Sequence, residues 1–333
     1  MRHKCCFFAA KFPMDLILLC LAILSLMNTA FSESDTGTRI NQAMQNADIQ
    51  KNITYATVDN IDLKLDLYTP DHTEGPLPLV VWVHGGAWLA GSKDNPPAAP
   101  LLAEGFAVAS ISYRFSNVAI FPAQIHDCKA AVRFLRANAG KYNIDPDRIG
   151  TWGASAGGHL VALLGTTSKS DTLDGTVGEH TDTSDDVQAV CDWFGPSDMF
   201  SMPENNHYFE KGQEPETKLI GGPVPEKQDL AKMASPVTHV NENNPPFLLM
   251  HGDKDDLVPL QQSRLLYDKL KAAGVDAELV VMEGKGHGFG GPDAVNPLIE
   301  FFKRTLMKTE SASKYETDTI QTPRGDLTIT CIG

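Results

Sequence analysis

The chain has 333 residues, 42% of them hydrophobic and 21% charged, with a formal net charge of −14. That is globular composition, and a single large α/β domain can absorb the length. The acidic balance argues against nucleic acid, because phosphate binding needs a basic face.

The N-terminus reads as a targeting segment. Arg2, Lys4 and Lys11 precede an apolar run from Leu16 to Met27, which is short for a membrane span. Ala30-Phe31-Ser32 places small residues where a signal peptidase cuts. Residues 1–32 are therefore expected to be a cleaved secretory signal, with no stable membrane association after cleavage. The alternative is an uncleaved anchor. Cys20 follows the bulky Leu19, which argues against a lipoprotein signal. Cys128, Cys191 and Cys331 remain after cleavage and make no disulfide framework. Buried free thiols are expected at Cys128 and Cys191, with a bridge between them as the alternative in an oxidising compartment.

Residues 33–52 are polar and serve as a leader. The runs 53–58 and 63–68, joined by Asp59-Asn60, predict an antiparallel hairpin. The continuously apolar runs 79–83 and 106–113 are strands buried on both faces, with a short helix over 97–104 between them. Apolar residues recur at helical spacing over 122–138. A strand over 147–152 and a buried helix from Gly158 follow, then strands over 187–194, 247–250 and 277–282 and helices over 261–273 and 296–308. Strand and helix alternate from Leu79 onward, which predicts a mostly parallel sheet covered on both faces. The long stretch 197–244 breaks the alternation and reads as an insertion, the usual form of a lid or cap. Residues 309–333 are polar apart from 327–330 and are expected to form a tail or a small added strand.

Chemistry concentrates at the ends of the predicted strands. Gly153-Ala154-Ser155-Ala156-Gly157 is a G-x-S-x-G stretch between a strand and a helix. In that context the serine is held on a tight turn at the positive end of a helix. A serine hydroxyl needs a base within hydrogen-bond reach and an acid to orient that base. His287 follows the 277–282 strand. His251-Gly252-Asp253-Lys254-Asp255-Asp256 follows the 247–250 strand and offers three candidate acids. His84-Gly85-Gly86-Ala87-Trp88 follows the 79–83 strand, and its glycines free backbone N–H groups that, with that of Ala156, could hold an oxyanion. The remaining histidines have no metal-ligand spacing, and no cofactor motif is present. Arg114 and Asp127 are candidates for a buried ion pair.

These four motifs, in this order, resemble the α/β-hydrolase family, near the hormone-sensitive-lipase-like esterases and the bacterial carbohydrate or feruloyl esterase-like group. The resemblance spans 53–308. It implies an eight-stranded, mostly parallel sheet with helices on both faces and a small cap insertion. It also implies Ser155 as nucleophile, His287 as general base and acid, and Gly85, Gly86 and Ala156 as oxyanion donors. The family pattern H-G-x-x-D-x-x-V-P selects Asp255 over Asp253 and Asp256. Trp88 is a candidate substrate contact, with packing of the loop as the alternative; His84 and His251 are expected to bond locally. The implied substrate is a carboxylic ester, short acyl or feruloyl, free or linked to a polysaccharide, with no metal or cofactor. A serine peptidase of the same fold and a non-catalytic binding protein on the scaffold are the competing expectations.

Overall fold

A computed structural model describes residues 35–71, 75–168, 173–202, 209, 212–307, 315–322 and 325–332, the last two as backbone only. The expected signal segment lies outside the described residues. The chain opens with α1 (Asp35–Asn46) and β1 (Asp48–Val58), continues through β2 (Ile61–Thr69), β3 (Leu77–Val83), α2 (Ala99–Ala103) and β4 (Ala107–Ile111), and reaches α3 (Ala123–Ala137) and α4 (Ala139–Tyr142). Then come β5 (Ile144–Ala154), α5 (Ala156–Thr166), β6 (Ala189–Trp193), α6 (Pro215–Ile220), α7 (Gln228–Met233), β7 (Phe247–Gly252), α8 (Gln261–Ala272), β8 (Ala277–Met282) and α9 (Pro292–Leu306). A backbone hairpin of β9 (Tyr315–Thr322) and β10 (Gly325–Ile332) ends the described chain, where a single added strand was expected.

Eight strands form one sheet in the order β1-β2-β4-β3-β5-β6-β7-β8. The β1–β2 and β2–β4 pairs are antiparallel, and the five pairs from β4–β3 to β7–β8 are parallel. The hairpin caps one edge, as its alternation predicts. Its turn residues Asp59 and Asn60 both take positive φ, 50° and 63°, which matches the twist of the flanking strands. Strands β3, β4, β6 and β7 are buried along their whole length, as continuous apolar runs in a two-sided sheet must be.

The sheet separates two apolar layers. One is built on α3 and α5, with Ile125, Leu135, Leu160 and Leu163 against Val81 and Leu249. The other is built on α2 and α9, with Leu101, Phe301 and Phe302 against Val80, Trp152 and Trp193. The second layer extends into the leader. Residues 35–46 form a helix, and β1 starts at Asp48 rather than at residue 53. Ile40 of α1 is buried, and Arg39 pairs with Glu104 at the end of α2. Only three apolar residues, Ile40, Ala43 and Met44, fall within this helix, so its apolar face was narrow in the sequence.

Two expectations about buried groups are settled. Cys128 and Cys191 are free, buried thiols, and burial pushes both well up from the ordinary thiol range. Arg114 and Asp127 do pair: Nε and Nη2 reach both carboxylate oxygens at 2.7–3.1 Å, and the Arg114 backbone N–H adds a bond at 2.9 Å. This pair joins the loop after β4 to the first turns of α3.

Candidate active site

The parallel strands all end on one side of the sheet, and the four motifs meet there. β5 runs into Ser155, which opens α5 with φ 57° and ψ −122°. This strained backbone puts the side chain on the outside of a sharp strand–helix turn. The turn is tight enough that a Cβ on Gly157 would lie 2.0 Å from the carbonyl oxygen of Val83. Ser155 N–H donates to Trp193 O at 2.9 Å, which locks the turn to the neighbouring strand.

The loops after β7 and β8 are zipped together. Lys254 N–H donates to Lys285 O at 2.9 Å, and Asp253 accepts the Gly284 N–H at 2.6 Å. This brings His287 between Ser155 and Asp255. Nε2 lies 2.9 Å from Ser155 Oγ, and Nδ1 lies 2.7 Å from Asp255 Oδ2. A carboxylate only accepts, so Nδ1 carries the proton and Nε2 is left to accept from the serine. Phe194 packs edge-on against the imidazole at 4.8 Å. Asp253 and Asp256 stay on the exposed outer side of the loop.

Asp255 is the most constrained of the three. Its side chain is fully buried. Oδ1 accepts the N–H groups of Leu257 and Val258 at 3.0 and 2.9 Å. Oδ2 faces His287 at 2.7 Å and His251 Nε2 at 3.2 Å. Burial alone would raise this carboxyl, but the bonds from His251, His287 and the Val258 N–H outweigh it and hold the group well below the usual carboxylate range.

The loop after β3 lies against the serine. A Cβ on Gly85 would come within 2.8 Å of Ala154 O and 3.3 Å of Ser155 Cβ. Gly86, Ala87 and Trp88 all take positive φ, at 116°, 54° and 56°. The left-handed stretch therefore continues two residues past the last glycine of the motif, which the sequence did not suggest. The N–H groups of Gly85, Gly86 and Ala156 make no hydrogen bond among the described residues. The loop is anchored on three sides. Ser116 N–H donates to Trp88 O at 2.8 Å. The buried Lys93 ammonium bonds Asp66 Oδ1 at 2.7 Å. Tyr113 stacks on His84 at 4.6 Å and donates to its carbonyl at 3.0 Å. His84 is a structural residue, as expected: burial pushes it down to about 4, and Nδ1–H donates to Gly85 O at 2.7 Å.

Trp88 is a correction. Its ring is 2% exposed, and its indole N–H donates to His159 Nδ1 at 3.1 Å. It belongs to the core beneath the loop, so packing replaces the substrate contact expected of it. His159 in turn donates from Nε2 to Ala234 O at 2.7 Å. Ala234 belongs to the 197–244 insertion, whose described part holds α6, α7 and two short 3₁₀ turns. The contacts of His159, His251 and Ser263 were not legible beforehand; the i,i+4 spacing of His251 and Asp255 was the one available signal. Among the described residues, no group of three or more His, Cys, Asp or Glu side chains could hold a metal ion, and no helix is long and apolar enough to cross a membrane.

Comparison with known proteins agrees with this geometry. The BD-FAE family profile matches residues 65–270, more than half of the chain. The chain belongs to the BD-FAE family. Among solved structures, a truncated carbohydrate esterase from gut microbiota superposes with a TM-score of 0.74 at 36% identity, covering 80% of this chain and 98% of that one. Esterase 2 of Thermogutta terrifontis, bound to propionate, gives 0.63 at 27% identity, covering 80% and 97%. The α/β-hydrolase architecture is thus shared along nearly the whole of both. Among curated proteins, the esterase LipC of Mycobacterium tuberculosis is 34% identical over 64% of this chain and 53% of its own length. An isoprenylcysteine alpha-carbonyl methylesterase of Arabidopsis thaliana is 28% identical over 72% of this chain and 56% of its own length. The chain spans about half the length of the curated relatives it matches.

Proposed function

We propose that the protein is a serine esterase that cleaves short-acyl carboxylic esters, including esters carried on carbohydrates. The observation that carries this reading is the aligned series Ser155 Oγ, His287, Asp255, with spacings of 2.9 and 2.7 Å. Ser155 Oγ attacks the carbonyl carbon while its proton passes to His287 Nε2. The carbonyl oxygen becomes an oxyanion, held by the N–H groups of Gly85, Gly86 and Ala156. The C–O bond to the alcohol then breaks, and the alcohol leaves with the proton from Nε2. A water attacks the acyl-enzyme, gives its proton to His287, and the carboxylic acid departs as Ser155 regains its hydrogen. Asp255 stabilises the imidazolium formed in each half. None of these steps requires a cofactor.

Short acyl groups are supported by the propionate-bound and butyrate-bound relatives from Thermogutta terrifontis. A carbohydrate-linked ester is supported by the gut-microbiota carbohydrate esterase and by a bifunctional GH43-CE of Bacteroides eggerthii, 38% identical over 77% of this chain. Secretion rests on the signal pattern in residues 1–32. The test is a matched panel of acetyl, butyryl, octanoyl and feruloyl esters, offered to the mature protein and to Ser155→Ala. Turnover of acetyl and butyryl esters, lost in the variant, is the expected result. Turnover surviving Ser155→Ala, or none on any ester, would overturn the reading.

A further inference from the structure

Asp255 stands between two histidines, each bonded to a serine. On one side are His287 and Ser155. On the other, His251 Nε2 lies 3.2 Å from Asp255 Oδ2, and His251 Nδ1 lies 2.7 Å from Ser263 Oγ. The second pair cannot be a second active site. His251 and Ser263 are both 0% exposed, and His251 Nε2 is also engaged by Val258 O at 2.8 Å.

The proton positions follow from the partners. Val258 O and the Asp255 carboxylate are acceptors only, so His251 Nε2 must donate. His287 Nδ1 must donate for the same reason. The one Nε2 proton of His251 is shared between Val258 O at 2.8 Å and Asp255 Oδ2 at 3.2 Å, so Asp255 meets four donor groups: the Leu257 and Val258 N–H groups on Oδ1, the His287 Nδ1–H on Oδ2, and this shared His251 N–H, also toward Oδ2. That is the full capacity of a carboxylate. The two Oδ1 bonds come from the loop's own turn. His251 comes from β7, a fully buried strand, and ties Oδ2 to the sheet.

We propose that His251, with Ser263 behind it, is a positioning residue of the esterase: its Nε2–H fixes the Asp255 carboxylate and moderates how strongly Oδ2 pulls on His287. This inference rests on the esterase reading above. The titratable groups facing His251 are Asp255 on its own loop, Asp192 on β6, and His287 through Asp255. Phe194 closes the remaining side at 6.4 Å.

The experiment measures kcat, KM and the pH dependence of kcat/KM on p-nitrophenyl acetate for the wild type, His251→Leu, His251→Gln, Ser263→Ala and Ser155→Ala. Rates are expressed per serine labelled by a fluorophosphonate, so that unfolded molecules do not count. Leucine removes the donor, whereas the glutamine amide can place an N–H near the lost Nε2. His251→Leu is expected to lower kcat about tenfold or more, with KM within about twofold. Its acid limb should move to higher pH by about half a unit, because a carboxylate with one donor fewer accepts more strongly from His287. His251→Gln should recover most of both changes. Ser263→Ala, which leaves the packing nearly intact, should shift the limb in the same direction by less. A His251→Leu enzyme with wild-type kcat and acid limb per labelled serine, or a glutamine variant no better than leucine, overturns the positioning role. An inert wild type, or activity persisting in Ser155→Ala, overturns the esterase reading itself and the inference with it.

Discussion

Trp88 donates its indole N–H to His159 Nδ1 at 3.1 Å, and His159 passes the contact on to Ala234 O at 2.7 Å. Three separate segments are joined by this line: the loop after β3, the helix that begins at Ser155, and the insertion. His159 must be neutral to accept from Trp88 and donate to Ala234 together. Burial, which pushes it down to about 4, favours that state.

Trp88→Phe keeps most of the ring volume and removes the N–H. It leaves His159 Nδ1 buried without a donor, a loss of about 1–3 kcal/mol. A thermal midpoint lowered by several degrees and a kcat reduced more than KM is altered are the expected results, since the loop that would hold the oxyanion loses its floor. Calorimetry and steady-state kinetics on one short-acyl ester read both. A KM effect with unchanged kcat would instead return Trp88 to the substrate-contacting role.

Gly86 leaves no room for a side chain. Its φ is 116°, and a Cβ there would lie 2.1 Å from Ala90 O. Gly86→Ala must therefore reshape the loop, moving the backbone N–H groups proposed above to hold the oxyanion. Removing one oxyanion donor costs about 2.7–4 kcal/mol, so kcat should fall about 10²–10³-fold. Fluorophosphonate labelling of Ser155 should persist, more slowly. A Gly86→Ala enzyme with near-wild-type kcat would place the oxyanion donors elsewhere.

Asp192 sets a pH dependence of stability. Burial raises this carboxyl to about 7, against smaller lowering effects from the Gly195 N–H and His251, and Oδ2 has no partner among the described residues. The folded state then binds its proton more tightly than the unfolded state does. The stabilisation is fully present below the unfolded carboxylate value near 3.8 and is lost as pH rises through about 7. His84 and His159, both lowered to about 4, act in the opposite sense: they reduce stability as pH falls from about 6.5 to about 4. The wild-type profile mixes the two, so the variant comparison is the informative one. Asp192→Asn mimics the protonated acid. Its thermal midpoint relative to wild type should climb steadily between pH 4 and 7 and level off above. A difference independent of pH would show that Asp192 is ionised throughout in the folded protein.

The sheet was legible because its strands differ in kind. Runs such as Leu79–Val83 are apolar at every position and rich in valine, as a strand buried on both faces should be. The G-x-S-x-G stretch, the glycine loop and His287 were legible because each follows such a strand, and parallel strands end on one side of a sheet. Asp255 was separable from its neighbours only by a family pattern; in space the reason is plain, because Asp253 and Asp256 point outward while Asp255 is enclosed by four donors. The leader helix was missed because its few apolar residues gain burial from α2 and the rest of the second apolar layer, partners distant in sequence. What only the tertiary structure decided were the contacts between segments far apart along the chain. These are the turning of Trp88 into the core toward His159, the bond from His159 to Ala234 in the insertion, and the placement of Cys128 and Cys191 as separate buried thiols. Local composition fixes which residues fold into strands and turns, because backbone sterics and side-chain burial act over a few residues. Which buried polar group meets which depends on the packing of whole layers, and no local pattern contains it.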